Sequence, residues 1–283
     1  MKNGKNESLK ELVKEKYSEI ALQSKQENET SCCGAGSCGP GTYTIMSEDY
    51  SNLKGYNAEA DLGLGCGLPT EFAKIKAGDT VVDLGSGAGN DAFVARSIAG
   101  EAGEVIGIDM TPAMIEKARA NALKLGFTNV EFRLGDIEDI PLGSKRADVV
   151  VSNCVMNLVP DKKKAFSEVY RILKPEGHFS ISDIVIKGDL PEAIVNEAAM
   201  YAGCVAGALK KGEYMEIISE AGFENITIQK ERQINIPDEI LLKYLNQEEL
   251  NNFKNSGSGI YSITVFASRP EAACGCAPEV KCC

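Results

Sequence analysis

Short apolar runs alternate with longer amphipathic stretches through the middle of the chain. The short runs are rich in valine and isoleucine, which is typical of buried strands, whereas apolar residues recur every three or four positions in the longer stretches, as in helices. The predicted strands span 80–84, 104–109, 130–134, 148–153 and 178–185, and the predicted helices between them span 90–99, 112–126 and 161–173. Strands that alternate with helices predict an α/β fold with a doubly wound, mostly parallel sheet.

The pattern changes toward both ends of the chain. Apolar residues at helical spacing from Leu9 to Ile20 predict an N-terminal helix. Beyond residue 187, the pattern predicts a long helical stretch, a strand, a further helix and a last strand, which span 191–221, 225–233, 237–246 and 262–268. We expect this later part to complete the edge of the sheet and to supply a lid.

Charge and composition exclude several classes of function. The chain has 283 residues and a formal net charge of −11, so it would repel a phosphate backbone, and we expect no nucleic-acid partner. It has no secretory apolar segment and no apolar run of the ~18 residues typical of a membrane span, which predicts a cytoplasmic protein without a membrane partner. The single histidine, His178, begins a predicted strand far from the ends at which ligands bind, so we assign it no chemical role.

Cysteine is the distinctive residue type, with ten in the chain. Seven lie in two segments rich in glycine and alanine, at 26–41 and 270–283, namely Cys32, Cys33, Cys38, Cys274, Cys276, Cys282 and Cys283. In a cytosolic protein such clusters indicate thiols for metal, metalloid or redox chemistry rather than a disulfide framework. A zinc site built from these cysteines stays an open alternative.

A glycine-rich turn follows the first predicted strand, with the sequence Gly85-Ser86-Gly87-Ala88-Gly89. Glycines let the backbone turn tightly and let a ligand approach closely, and the start of the following helix offers N–H groups. Asp109 ends the next strand, where a carboxylate can accept both hydroxyls of a ribose. The arrangement predicts a nucleoside cofactor, although the glycine turn alone also fits a dinucleotide.

Other segments distinguish between these cofactors. Asp83 precedes the glycine turn, Asp136 follows the third predicted strand, the fourth strand ends at Asn153, and 173–177 reads Leu-Lys-Pro-Glu-Gly. In order and spacing these segments resemble the motifs of the class I methyltransferases, which use S-adenosylmethionine and have a Rossmann-like sheet.

This resemblance implies a cofactor site. The glycine turn would hold the methionine moiety, Asp109 the ribose, and Asp136 with Ile137 the adenine, while Asn153 would line the path of the methyl group. The full implied set is Asp83, Gly85, Ser86, Gly87, Gly89, Asp109, Met110, Asp136, Ile137 and Asn153.

The three remaining cysteines lie in separate segments. Cys154 directly follows a predicted strand, Cys66 lies on a glycine loop that we expect to be flexible, and Cys204 lies beyond the strand that ends near residue 185. A single cysteine is more often a small buried apolar residue than a ligand. However, the segments Leu-Gly-Cys66-Gly, Asn-Cys154-Val-Met-Asn-Leu and Gly-Cys204-Val-Ala-Gly closely resemble the arsenite methyltransferases, and the resemblance covers most of the chain.

The resemblance implies that Cys66, Cys154 and Cys204 bind As(III), which is a soft centre that prefers thiolates. The arsenic lone pair is itself the nucleophile, so methyl transfer needs no catalytic base. Transfer leaves arsenic pentavalent, and a thiol pair can return the two electrons by forming a disulfide. We therefore predict a transient disulfide between Cys66 and Cys32 or Cys33, which is reduced by an external thiol such as glutathione or a thioredoxin-type protein.

These inferences divide the chain into five segments. They are an N-terminal helix with a Cys segment (1–41), the S-adenosylmethionine-binding core (42–186), an arsenic-binding region that includes the lid (187–235), a small C-terminal region (236–269) and a Cys-rich tail (270–283). The tail cysteines either capture arsenite and pass it inward or are dispensable. Two other functions stay open, a methyltransferase for another small molecule and a thiol-rich metalloid-binding protein without turnover.

Overall fold

The computed structural model describes residues 2–23, 48–190, 205, 207–236 and 238–271. Its helices are α1 (Lys2–Ala21), α2 (Pro69–Phe72), α3 (Asn90–Ala99), α4 (Pro112–Lys124), α5 (Lys162–Ile172), α6 (Lys211–Glu220), α7 (Asp238–Leu241) and α8 (Gln247–Ser256), with a short 3₁₀ helix at Met156–Leu158. Its strands are β1 (Thr80–Leu84), β2 (Glu104–Asp109), β3 (Val130–Leu134), β4 (Ala147–Asn153), β5 (Leu173–Lys187), β6 (Leu209–Lys210), β7 (Glu224–Ile234) and β8 (Gly259–Ser268). No helix in these ranges is both long enough and apolar enough to cross a membrane.

The strands of the described chain form one sheet in the order β3-β2-β1-β4-β5-β8-β7. Strands β1 to β5 are parallel, β8 runs antiparallel between β5 and β7, and β6 pairs with the far end of β5. After β3 the chain crosses back to the other side of β1 to form β4. Such a reversal opens a crevice at the carboxyl ends of the strands, where open α/β sheets bind ligands. The predicted doubly wound sheet is confirmed.

The core has two layers because neighbouring residues of each central strand face opposite sides of the sheet. On β1, Val81 packs with Phe93 of α3, whereas Val82 belongs to the core that contains Phe166 of α5 and Tyr214 of α6. All five side chains are fully buried. Burying each large apolar side chain contributes about 1.5–3 kcal/mol, so these two layers fix the strand ends that form the crevice.

The later elements differ from the predicted ones. Residues 209–210 form strand β6 inside the predicted helix 191–221, and α6 begins only at Lys211. The predicted helix 237–246 is also wrong in length, because α7 ends at Leu241 and a second helix follows. The Asn246 side chain accepts the N–H groups of Glu248 and Glu249, and the Glu249 side chain accepts the Asn246 N–H. This capping box starts α8 as a new helix.

Candidate active site

A cavity lies at the carboxyl ends of β1, β2 and β4. Eight of the ten residues predicted for the cofactor line it, namely Gly85, Ser86, Gly87, Asp109, Met110, Asp136, Ile137 and Asn153. Cys154 lines the same cavity, so the cofactor residues and one predicted acceptor thiol share it.

The glycine turn is held against β2 by backbone hydrogen bonds. The N–H groups of Gly85 and Ser86 both donate to the Ile108 carbonyl oxygen, at 2.7 and 3.0 Å. Gly85 has a φ of 70°, and a Cβ there would overlap the Val155 side chain. Only glycine therefore fits this turn without strain.

Two buried oxygens at the turn have no hydrogen-bond partner among the described residues. They are the Ser86 hydroxyl and the Asn90 side-chain oxygen, and both residues line the cavity. A buried polar atom without a partner costs about 1–3 kcal/mol, so these atoms favour a ligand that carries polar groups. The amino and carboxylate groups of the S-adenosylmethionine side chain fit this requirement.

Asp109 connects the turn to the second strand. One carboxylate oxygen accepts the Gly87 N–H at 3.0 Å, and the other accepts the Thr111 N–H at 2.8 Å. Burial raises the pKa of Asp109, and these two N–H groups oppose that rise. Asp109 also lines the cavity, where its carboxylate can accept further hydrogen bonds from a ligand.

The other two predicted cofactor residues, Asp83 and Gly89, do not line the cavity. Burial, together with the charges of Asp91 and Asp109, raises the pKa of Asp83 well above its usual range. Gly89 caps α3 with a φ of 102°, and a Cβ there would lie 2.7 Å from the Phe93 ring. Gly89 therefore closes the turn against the Phe93 ring, and Asp83 is a buried carboxyl of β1 outside the cavity.

Helix α1 forms an outer wall of the cavity. The sequence predicted this helix but not its contact with the cavity. Val13 and Tyr17 line the cavity, and the Lys10 ammonium donates to Asp136 at 2.6 Å and to Glu138 at 2.7 Å. Burial raises the pKa of Asp136. The Lys10 ammonium and the Glu138 N–H together lower it by more than burial raises it, so the pKa lies below the usual range. The predicted adenine residue is thus charged and tied to the N-terminal helix.

Replacing Lys10 with methionine is expected to weaken S-adenosylmethionine binding about fivefold at low salt. The change removes the partly exposed ion pairs with Asp136 and Glu138, together worth roughly 1 kcal/mol, while it keeps the aliphatic chain. Isothermal titration at two salt concentrations measures the effect, and the salt dependence of binding should decrease in the variant. Lys163→Met is the matched control, since it breaks an exposed pair with Glu220 and neither residue lines the cavity. Equal affinities of wild type and K10M would show that α1 does not close the site.

The Cys66 and Cys154 thiols are buried in one apolar cluster. Their side chains are 0% and 3% exposed, and the cluster also contains Ile184, Val205 and Ile234. Val205, the residue after the third predicted thiol in the sequence, packs in this cluster. Cys204 itself lies outside the described residues, as do Cys32, Cys33 and the tail cysteines.

Cys154 has a left-handed backbone with a φ of 62°, and its N–H donates to the Ser182 carbonyl oxygen at 2.7 Å. This conformation costs a residue other than glycine about 1–3 kcal/mol. Five such residues occur in the described parts of the chain, and Cys154 is the one among them that lines the cavity. The cost is consistent with a thiol that is oriented for binding rather than for packing.

Asn153 lies between the cofactor cavity and the Cys66 loop. Its side-chain oxygen accepts the N–H groups of Cys66 and Gly67 at 3.0 and 3.3 Å, and its nitrogen donates to the Gly67 carbonyl at 2.8 Å. A Cβ on Gly65 would lie 2.6 Å from the Asn153 nitrogen, so the loop can dock only through its glycines. The loop predicted to be flexible is therefore docked by hydrogen bonds.

Two further residues at this point were missed from the sequence, Tyr50 and Asp91. The Tyr50 hydroxyl lies 2.9 and 3.0 Å from the two Asp91 oxygens, and the Asn153 nitrogen donates to this hydroxyl. Burial raises the pKa of Asp91 to about 6, while the bonds from Tyr50 and Asn153 oppose the rise. Both missed residues line the cavity.

His178 lies away from the cavity. Its Nε2–H donates to the Ala73 carbonyl oxygen at 2.6 Å, and its ring packs 5.0 Å from the Phe266 ring. Burial lowers the pKa of His178, so the neutral ring is favoured.

Comparisons with known proteins identify the family. A methyltransferase domain model matches residues 75–222. The arsenite methyltransferase of Halobacterium salinarum is 38% identical over 277 residues, which span 93% of this chain and 67% of that protein. The one from Aquipseudomonas alcaligenes is 32% identical, over 84% of this chain and 68% of its own length. A crystal structure of an arsenic(III) S-adenosylmethionine methyltransferase from Chlamydomonas reinhardtii matches with a TM-score of 0.60 and 34% identity, over 73% of this chain and 68% of that one. With its sheet, its cofactor cavity and these relatives, the chain belongs to the arsenite methyltransferase family.

Proposed function

We propose that the chain transfers methyl groups from S-adenosylmethionine to As(III) bound by the thiolates of Cys66, Cys154 and Cys204. The observation that carries this proposal is the position of Cys154, which lines the cofactor cavity and also belongs to the apolar cluster of Cys66. Arsenic held there would lie at the boundary between the two sites.

The cavity residues have distinct roles in this proposal. The Gly85–Gly87 turn, with Ser86 and Asn90, binds the methionine moiety, Asp109 binds the ribose, and Asp136 with Ile137 borders the adenine. When bound, S-adenosylmethionine supplies an electrophilic methyl group. The protein's contribution is to hold the acceptor in line with that group and to exclude water.

The acceptor site suits arsenic because its ligands are soft and because Cys66 and Cys154 pack in an apolar cluster. Three thiolates complete the coordination of As(III) and leave its lone pair for attack on the methyl carbon. The acceptor loses no proton at that step. This agrees with a cluster in which the residues that pack with Cys66 and Cys154 are aliphatic side chains such as Ile184 and Ile260.

The direct test incubates the protein with arsenite, S-adenosylmethionine and a thiol, and then separates the arsenic species. Methylated arsenic should form in amounts that depend on both substrates. A control reaction without the protein measures background methylation. If arsenite binds but no methylated species forms with any of several thiols, the chain is a metalloid-binding protein and the proposal is wrong.

A second part of the proposal concerns reduction of the pentavalent product. The double variant with Cys32→Ser and Cys33→Ser should bind arsenite and complete the first methylation, but yield little dimethylated product. Reduction of arsenic needs two electrons, which the Cys66 thiol and the Cys32 or Cys33 thiol supply as they form a disulfide. A cytoplasmic thiol such as glutathione or a thioredoxin-type protein then reduces this disulfide back to two thiols. Mass spectrometry of enzyme quenched during turnover measures the disulfide. Normal dimethylation by the double variant, with no disulfide trapped in the wild type, would contradict this role.

A further inference from the structure

We propose that Tyr50 and Asp91, acting through Asn153, are positioning residues for the acceptor thiol of Cys66. This inference rests on the proposed function of Cys66 as an arsenic ligand. We call the three side chains the Tyr50 bridge. From the sequence, Asn153 was predicted only to line the path of the methyl group, and Tyr50 and Asp91 were given no role.

The first step is the set of hydrogen bonds between the Asn153 side chain and the backbone of the Cys66 loop. Its amide oxygen accepts two successive N–H groups, those of Cys66 and Gly67, while its nitrogen donates to the Gly67 carbonyl oxygen at 2.8 Å. A single side chain thus binds both polar edges of one dipeptide. On the other side of the loop, the Ser262 hydroxyl donates to the Cys66 carbonyl oxygen at 2.6 Å. The backbone that carries the thiol is therefore held from two directions.

The second step is the orientation of the Asn153 amide. Its nitrogen faces only oxygen atoms, which are the Tyr50 hydroxyl, the Gly67 carbonyl and, at 3.2 Å, one Asp91 carboxylate oxygen. A flipped amide would place its oxygen against these oxygens and its nitrogen against two N–H groups. Tyr50 and Asp91 thereby fix the one orientation in which Asn153 can hold Cys66.

The third step connects the bridge to the cofactor. Asp91 is the second residue of α3, the helix that follows the glycine turn, and both its carboxylate and Tyr50 line the cavity. The Tyr50 hydroxyl also lies 3.0 Å from the Gly67 carbonyl oxygen. The position of the thiol is therefore set by the same elements that hold the methyl donor, which favours the alignment that methyl transfer requires.

The test uses Tyr50→Phe, which removes only the hydroxyl. Loss of a buried hydrogen bond of about 1.4 kcal/mol corresponds to about tenfold more frequent opening of the loop. Alkylation of Cys66 by N-ethylmaleimide, followed by peptide mass spectrometry, should accelerate about tenfold, while alkylation of Cys154 stays within twofold of wild type. The affinity for S-adenosylmethionine should stay within threefold, and the rate of the first methylation should fall about tenfold.

Tyr261→Phe is the matched control. Tyr261 is also buried, and its hydroxyl also donates to a glycine carbonyl at 3.0 Å, that of Gly257. Its side chain packs in the core that contains Phe166 and not in the cluster of Cys66. This variant should leave the alkylation of Cys66 unchanged. If Tyr50→Phe does not fold, Asp91→Asn provides the second variant, because it keeps the shape of the side chain and removes its charge.

The alkylation assay contains no arsenic, so it separates this inference from the proposed function. Unchanged alkylation of Cys66, or an equal increase at Cys66 and Cys154, would overturn the positioning role, as would a loss of cofactor affinity without a change at Cys66. Faster alkylation of Cys66 alone supports the bridge even if arsenite titration of a Cys66→Ser variant shows that this thiol is not a ligand.

Discussion

Replacing Cys154 with serine is expected to slow the first methylation of arsenite by at least ~100-fold, since even outer-shell changes at metal sites cost 10–100-fold. The hard serine oxygen binds As(III) poorly. Cys154 also joins the thiol cluster to the cofactor cavity, so arsenic held by the remaining thiols would lie farther from the methyl group. Serine has nearly the same size and should tolerate the left-handed backbone as cysteine does. Single-turnover assays and arsenite titration measure the effect.

Two controls make this result specific. Cys38→Ser is the same exchange at a cysteine with no assigned role, and it should have no effect. The Cys154 variant should bind S-adenosylmethionine normally, which shows that its fold is intact. Because Cys66 is as deeply buried as Cys154, we expect Cys66→Ser to be comparably damaging. Wild-type affinity for arsenite in the Cys154 variant would identify this thiol as a packing residue.

Replacing Asp109 with alanine is expected to weaken S-adenosylmethionine binding about ten- to a hundredfold, because hydrogen bonds to a charged group contribute about 1.5–3 kcal/mol. Asp109 would bind the ribose, and it also accepts the N–H groups of Gly87 and Thr111. The variant therefore loses both a ligand contact and part of the support of the glycine turn. Calorimetric titration of the cofactor and of arsenite, each alone, measures the two sites separately.

Arsenite affinity should survive this change, since no described contact joins Asp109 to the thiol cluster. Asp148→Ala is the matched control, because that carboxylate accepts the Thr80 N–H at 2.9 Å at the opposite end of the sheet. It tests whether the loss of any strand-bound carboxylate reduces cofactor binding. Equal cofactor affinity in wild type and D109A would remove Asp109 from the nucleoside site.

The central fold could be predicted because its residues carry strong local signals. Strands β1, β2 and β3 and helix α3 have the predicted boundaries. In each of them the pattern of apolar residues ends at, or just before, a glycine or a charged residue. The later part could not be predicted as well, because short elements such as β6 form through pairing with a distant strand. The start of α8 was recognisable from Asn246 and Glu249, but the helical pattern that precedes them concealed it.

The residues of the candidate site also fall into those that local sequence predicts and those that it does not. The glycine turn, Asp109 and Cys154 were predicted because each follows directly from its place at a strand end. Lys10 and Tyr50 were missed because their contacts depend on chain segments that are far apart in sequence. Nothing near Lys10 indicates that its partner is Asp136, and the Tyr50 bridge exists only after α3 and β4 have been brought together by the sheet.

The contact between α1 and the cavity has a consequence for biosynthesis. Lys10 and Asp136 are 126 positions apart in the chain. At about 5–20 residues per second, the ribosome delivers the partner surface roughly 6–25 s after α1 itself. Most of the stability of a helix in a protein comes from the packing of its apolar face rather than from the helix itself. The nascent α1 therefore has no docking surface during this interval, and we expect the capacity to bind S-adenosylmethionine to arise only late in translation.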